Sequence, residues 1–409
     1  MANTRTSLDA ALKYVQEKNL LDIKPNSSII YDMAPMKESD SLGRKYLAPV
    51  TLSFELGFTF GDGGAFAYND DIAGVYDEIE IDPTPVVLKS RLSLEAADRI
   101  AKSDKAAVSR TALQAGQMKA SLMKMAEIEM LHGRVGVGIL ASDPAKPTST
   151  TATLIFTAAS WCPGVWGGME GALLDAYAGA SKVNSNADIV IVSVDFENKT
   201  LNVSGNSTDL TNLTTADVIY FKSAYANGQY GIKYQLDTSG SVFGIDNSVY
   251  ALRKAQEHSV SGALTMAQVL KGRAKAVGRG GLDEDCVLLV SPVTFEGLNS
   301  DLAALRALDS SYSAAKVESG SKKIVYHAQG GSVEVVAHPF MKEGEAFMIP
   351  KNGMKRVGAT DVTFRGMSGE AAWEPLEGYG AYQLTCRYSF QILIVEPGKC
   401  VLFSGIVNS

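Results

Sequence analysis

Residues 51–88 read TLSFELGFTFGDGGAFAYNDDIAGVYDEIEIDPTPVVL. Phe54, Phe58, Phe60, Phe66 and Tyr68 stand among glycines and acids. Side chains alternate along a strand, so Phe54, Leu56, Phe58 and Phe60 share one face. Asp62-Gly63-Gly64 carries turn chemistry. Val75 to Leu88 reads as the returning strand, with Tyr76, Glu78 and Glu80 on one face and Asp77, Ile79 and Ile81 on the other. The pattern predicts a two-stranded ribbon. Such a ribbon cannot bury its own aromatics, and isolated hairpins are marginal. It needs a surface to lie on, its own domain or a neighbour.

Charge singles out the same window. It holds eight acidic residues (Glu55, Asp62, Asp70, Asp71, Asp77, Glu78, Glu80, Asp82) and no Lys, Arg or His. The whole chain of 409 residues carries −7, so the other 371 together carry only +1. From Lys89 to Leu131, eight basic residues face five acidic ones. A solvated acidic loop would account for the charge alone. Aromatics among the acids favour an arm that lies on a complementary basic surface of another subunit.

A long helix is expected next. Ser93 to Leu131 contains no proline and is rich in Ala, Leu, Met, Lys and Glu. Ser93 is the candidate N-cap and Gly133 the candidate C-cap. Ala115, Met118, Leu122, Met125 and Glu129 follow a helical stripe. These 39 residues would make a rod of about 58 Å. GRVGVGILAS (133–142) follows a helix rather than a strand, so a tight turn into a new domain is expected and not a dinucleotide loop.

Further along, Ala187 to Ile245 has short strands (ADIVIVSVDF, KTLNVSG, ADVIYFKS, YGIKYQL, GSVFGI) at the spacing of a small β barrel or sandwich. Its scattered aspartates lack EF-hand spacing. Gly262 to Gly280 reads as a helix. Its Lys271, Arg273, Lys275 and Arg279 complement the helix dipole or touch another subunit; contact with nucleic acid is the lesser reading, since no aromatic interleaves them. Cys286–Val290 is a buried-strand pattern, and Ser291-Pro292 opens a further helix to about Leu308. The last hundred residues return to strands, with a hairpin turn expected at Pro397-Gly398.

Composition excludes several classes. At 46% hydrophobic and 20% charged the chain is neither disordered nor fibrous. No apolar run reaches the ~20 residues of a membrane span, and MANTRTSLDAALKYV has no apolar signal core. Cys162, Cys286, Cys386 and Cys400 form no CxxC pair and read as buried free thiols. There is no G-x-S-x-G, no Walker A, and no metal-ligand spacing among His132, His258, His327 and His338. His338, before Pro339, reads as structural. No catalytic residue, cofactor site or metal site is expected.

The order of these elements resembles the major capsid proteins of tailed double-stranded DNA bacteriophages, a fold shared with herpesvirus capsid floors and encapsulin nanocompartments. The resembling stretches are Pro49–Leu88 (the extended loop), Ser93–Leu131 (the spine helix), Gly133–Leu140, Ala187–Tyr250, HPFMKEGEAFMIP and the end YQLTCRYSFQILIVEPGKCVLFSGI. The resemblance implies an α+β chain divided into an N-terminal arm (1–45), an extended loop (46–90) and a peripheral domain (91–186) with its spine helix at 93–131. A β-rich insertion (187–250), an axial domain with return to the peripheral domain (251–380) and C-terminal strands (381–409) follow. It also implies a non-enzymatic shell subunit that forms hexamers and pentamers and encloses packaged double-stranded DNA by non-specific contact. Such a subunit is assembled in the host cytoplasm, ends in the virion capsid, and works with separate scaffolding, portal and decoration proteins and no membrane. Subunit contacts are then expected at Phe58, Phe60, Asp62, Phe66, Tyr68, Asp70, Asp71, Asp77 and Glu78. Lys89, Arg91, Arg99, Lys102 and Lys105 are the expected basic counter-surface. With no lysine between Lys45 and Lys89, an isopeptide crosslink from this loop is not expected. Alternatives are an encapsulin-like cellular nanocompartment, or an enzyme or carbohydrate-binding β protein.

Overall fold

A computed structural model of the chain describes residues 28–36, 45–93, 95, 110–300, 324–364 and 373–408. The acidic window forms a ribbon, but with different strands from those expected. Strand β1 (Tyr46–Thr51) pairs antiparallel with β2 (Tyr76–Ile81), Tyr46 opposite Ile81 and Thr51 opposite Tyr76. From Leu52 outward the ladder thins to bonds from the Leu52 and Ser53 N–H groups to the Val75 carbonyl and the reciprocal bonds between Leu56 and Ile72. The return strand does not run to Leu88. Pro83 and Pro85 offer no N–H to a ladder, so pairing stops at Ile81. Val86–Ser93 is a separate strand, β3, in another sheet. Its partner is the long strand Ala381–Ile394, with Ser93 opposite Ala381 and Val86 opposite Tyr388.

Ser93, the expected N-cap, is the last residue of this strand, and residue 94, which follows it, lies outside the described residues. The described part of the long helix is Arg110–His132, 23 residues and about 35 Å. Residues 96–109 of the expected helix lie outside the described residues. The helix ends before Gly133 as expected. A Cβ on Gly133 would stand 2.3 Å from the Gln229 carbonyl oxygen, so the chain at 228–231 can cross there only over glycine. Ala126 to Gly133 are buried without interruption, so this half of the helix is covered all round rather than along one stripe.

Residues 187–250 do not form a unit of their own. Ile189–Asp195 and Thr200–Ser204 sit in one eight-stranded sheet with earlier strands. Its order is Gly138–Ile139, Val218–Phe221, Leu173–Ala178, Ile189–Asp195, Thr200–Ser204, Thr151–Ile155, Ala145–Thr148, with Ser181–Lys182 pairing off Leu173–Ala178. The expected strand YGIKYQL contains the helical turn Ile232–Gln235. Tertiary contacts decide that segment: the Gln235 amide donates to the carbonyls of Tyr230 and Ile392 and accepts from the Ile394 N–H.

A six-stranded sheet holds Gln256–Gly262, Val401–Ile406, Glu345–Pro350, Cys286–Val290, Gly331–Ala337 and Ile324–Ala328, in that order. Both faces are covered. Cys286, Leu288 and Val290 face one core beneath the helices Met266–Gly280 and Pro292–Ser300, while Val287 and Leu289 face the larger core around the long helix. Burial on two sides explains the unbroken apolar run 286–290. Residues 301–308, where the second helix was expected to continue, lie outside the described residues. Pro397–Lys399 is a 3₁₀ turn, not a hairpin, because it joins strands of two different sheets. All four cysteines are buried and free.

Candidate subunit interface

The ribbon has two parts with opposite surroundings. At its base, Leu52, Ile79 and Ile81 are buried against Val242, Phe243, Ile245, Val357 and Leu393 of the same chain. Lys45 pairs with Glu80 at 2.6 Å on the rim. At its tip nothing of the kind occurs. Of the 21 large apolar side chains exposed among the described residues, ten lie between Leu47 and Tyr76. Phe60 is 92% exposed, Tyr68 85% and Phe58 68%. Burying one such ring is worth about 1.5–3 kcal/mol, and the described part of the chain leaves these rings uncovered.

The tip is nevertheless built. Asp62 Oδ1 accepts from the Gly64 N–H at 2.9 Å, closing the expected turn. Asn69 donates its backbone N–H to Thr59 Oγ1 and its side-chain amide to the Phe58 carbonyl, both at 2.8 Å. Phe66 and Tyr68 meet edge to face at 5.9 Å. Gly57 has φ +117°, and a Cβ there would lie 2.8 Å from the Asp70 carbonyl oxygen. The tip thus presents its aromatics in a defined arrangement, with hydrogen bonds that stay within the ribbon.

Asp62, Asp70, Asp71, Asp77 and Glu78 are all exposed. Among the described residues, none of them makes an ion pair; of the eight acids in the window only Glu80 does. Lys89 and Arg91 occupy the exposed face of β3, while Leu88 turns toward the core. With Gln114, Gln117 and Ser121 of the long helix they line a groove of about 750 Å³. Among the described residues, no carboxylate of the ribbon lines this groove. Arg99, Lys102 and Lys105 lie outside the described residues. Asp70, Asp71 and Phe66 are on the tip with Phe58, Phe60, Asp62 and Tyr68, whereas Asp77 and Glu78 are on β2.

A buried polar network behind the groove escaped the reading of catalytic and metal motifs. The Glu127 carboxylate accepts from the Tyr31 N–H at 2.9 Å and from His338 Nε2 at 3.3 Å. His338 Nδ1 accepts from the Phe340 N–H, so the ring proton sits on Nε2, and His338 is structural. Arg356 donates to the Ala34 carbonyl at 2.6 Å and to Asp361 at 2.7 Å, and lies 3.6 Å over the Tyr31 ring. Burial pushes Asp361 up, but hydrogen bonds from Tyr31 and Arg356 outweigh it and hold the carboxyl below its usual range. These bonds fasten residues 28–36 to the helix and the sheet. Glu129 accepts from the Gln229 N–H at 3.1 Å, and burial pushes its carboxyl up to about 7. A glutamate within the apolar stripe was the available signal. Among the described residues, no group of three or more metal-ligating side chains converges, and no helix is long and apolar enough to cross a membrane.

No family model and no curated protein matches the chain. Its structure, however, is similar to solved capsid structures. The "Cyanophage A-1(L) capsid asymmetric unit" matches at TM-score 0.60 and 10% identity, covering 99% of each chain. The capsid of the native GTA particle matches at 0.53 and 8% identity over 100% of each. The capsid structure of the cyanophage P-SCSP1u matches at 0.50 and 10% identity over 98% of this chain and 95% of the other. Identity this low speaks for architecture alone, and it bears out the expected α+β fold over the full length. From end to end, this chain has the fold of phage capsid proteins.

Proposed function

We infer that the chain is the structural subunit of an icosahedral viral shell, built of hexamers and pentamers, that encloses packaged double-stranded DNA. The observation that carries this is the ribbon tip: ordered, aromatic, acidic and, among the described residues, without a partner in its own chain. In a shell every subunit has neighbours, so one copy's tip lies across the next. The aromatic rings supply burial there, and the unpaired acids set register against basic surface such as Lys89 and Arg91. The partners are thus other copies of the chain, with DNA inside and scaffolding, portal and decoration proteins separate. The place of action is the virion capsid, assembled in the host cytoplasm.

Deleting Asp62–Asn69 tests this. The unassembled subunit should keep its circular dichroism spectrum and melting temperature, while electron micrographs show no closed shells. Normal particles from the deletion would refute the trans contact.

A further inference from the structure

The helix Met266–Gly280 is as one-sided in charge as the ribbon, with the opposite sign. It carries Lys271, Arg273, Lys275 and Arg279 and no acidic residue. The structure separates these four. Arg273 is buried, donating to the carbonyls of Gln329, Ser332 and Glu284, and is a structural residue rather than a contact. Lys271, Lys275 and Arg279 recur every fourth residue and so share the opposite, solvent-facing side. Lys275 Nζ reaches the Glu257 backbone carbonyl at 3.0 Å, which leaves its charge uncompensated. Among the described residues none of the three is in an ion pair. The helix dipole accounts for Arg279 in the last turn but not for Lys271, two turns earlier.

These cations line a shallow depression of about 510 Å³ together with Ala274, Gly278 and His258. His258 comes from the neighbouring edge strand. Its Nε2 is 2.7 Å from Gln268 Oε1, and its buried Nδ1 has no partner among the described residues. Two ligands are negative enough to consider. The acidic ribbon of another copy presents phenyl rings that need an apolar counterpart, and this lining has no large apolar side chain. A phosphodiester backbone needs only cations and room to approach, which Ala274 and Gly278 leave between them. The spacing suits it. Four helical residues advance about 6 Å, nearly two phosphate steps of 3.4 Å along one strand of a duplex.

We propose that Lys271, Lys275 and Arg279 form a contact surface for the phosphate backbone of duplex DNA, and that this helix face is turned toward the packaged DNA. The proposal rests on the shell reading for the identity of the DNA, but its test does not. Binding of a short fluorescent duplex of mixed sequence to the unassembled subunit is followed by anisotropy across a salt series. Replacing all three residues by Gln keeps helix propensity. It should lower the slope of log K against log salt by about 2.7, at about 0.9 per contact. The double variant Lys271→Gln, Arg279→Gln should lower it by about 1.8 and guards against misfolding of the triple. Unchanged slope and affinity overturn the proposal even if shells form normally. A variant that fails to close shells yet binds DNA as the parent does also overturns it, in favour of a contact between copies. Absence of particles from the parent protein would strike the shell reading, and the slope would still decide the phosphate contact.

Discussion

Replacing Phe60 by Ala separates folding from assembly more cleanly than any other single change. The ring is 92% exposed, so the isolated subunit gains almost nothing from it. Its removal should leave the melting temperature of the unassembled subunit within about 1 °C, since surface changes fall within about ±0.5 kcal/mol. On the proposed reading a neighbour in the shell buries the same ring, a contact worth about 2 kcal/mol. If each subunit then donates one tip and receives one, each added subunit loses one such contact. At 1.4 kcal/mol per tenfold, the protein concentration at which shells appear should rise about 30-fold. Ile79→Ala supplies the reverse pattern. Ile79 is 2% exposed and packs on Val242, Phe243 and Leu393 at the ribbon base. Its truncation should cost about 2–5 kcal/mol of subunit stability whether or not neighbours are present. Particle yield by light scattering and sedimentation over a concentration series, with thermal unfolding of unassembled subunits alongside, measures both. An assembly threshold for Phe60→Ala equal to that of the parent would refute burial of the tip in a neighbour. A large loss of subunit stability would refute the tip's independence of its own body.

Two further outcomes follow from the geometry. Glu129 has a carboxyl raised from the ordinary 4.5 to about 7, so the unfolded chain releases its proton first as pH rises. The fold is then penalised progressively from about pH 4.5 to 7, by roughly 3 kcal/mol once both values are passed. Glu129→Gln should therefore stabilise the subunit against urea at pH 8 and leave it unchanged at pH 4; equal effects at both would show that ionisation is not the cause. At the tip, Gly57→Ala adds a Cβ 2.8 Å from the Asp70 carbonyl at φ +117°, so the two sides of the ribbon must part there. Faster protease cleavage between 57 and 72, with the melting temperature of the body unchanged, is the expected result, and an unchanged cleavage rate would contradict it.

The features legible from the chain alone were local ones. Eight acids without a base, aromatics at alternate positions and Asp62-Gly63-Gly64 specify a turning ribbon through neighbours a few residues apart. The helix end before Gly133, the strand 286–290 and the basic face of 266–280 are local in the same sense. Pairings across the chain were not legible. β3 joins Ala381–Ile394 because the prolines at 83 and 85 free it from β2 and an unfilled strand edge lies nearly three hundred residues later. Nothing within 86–93 names that partner. Likewise Ile189–Asp195 looks like the start of a new β unit until Leu173–Ala178 is seen beside it.

Local charge and alternation, which act over a few residues, were enough to mark an acidic aromatic arm that needs a surface, its own domain or a neighbour. Only the tertiary structure decided where the arm's covered base ends and its bare tip begins. That boundary is set by Val242, Phe243, Ile245, Val357 and Leu393, which converge from three distant segments on Leu52, Ile79 and Ile81. The tip is left exposed because, among the described residues, no other segment of the chain packs on it.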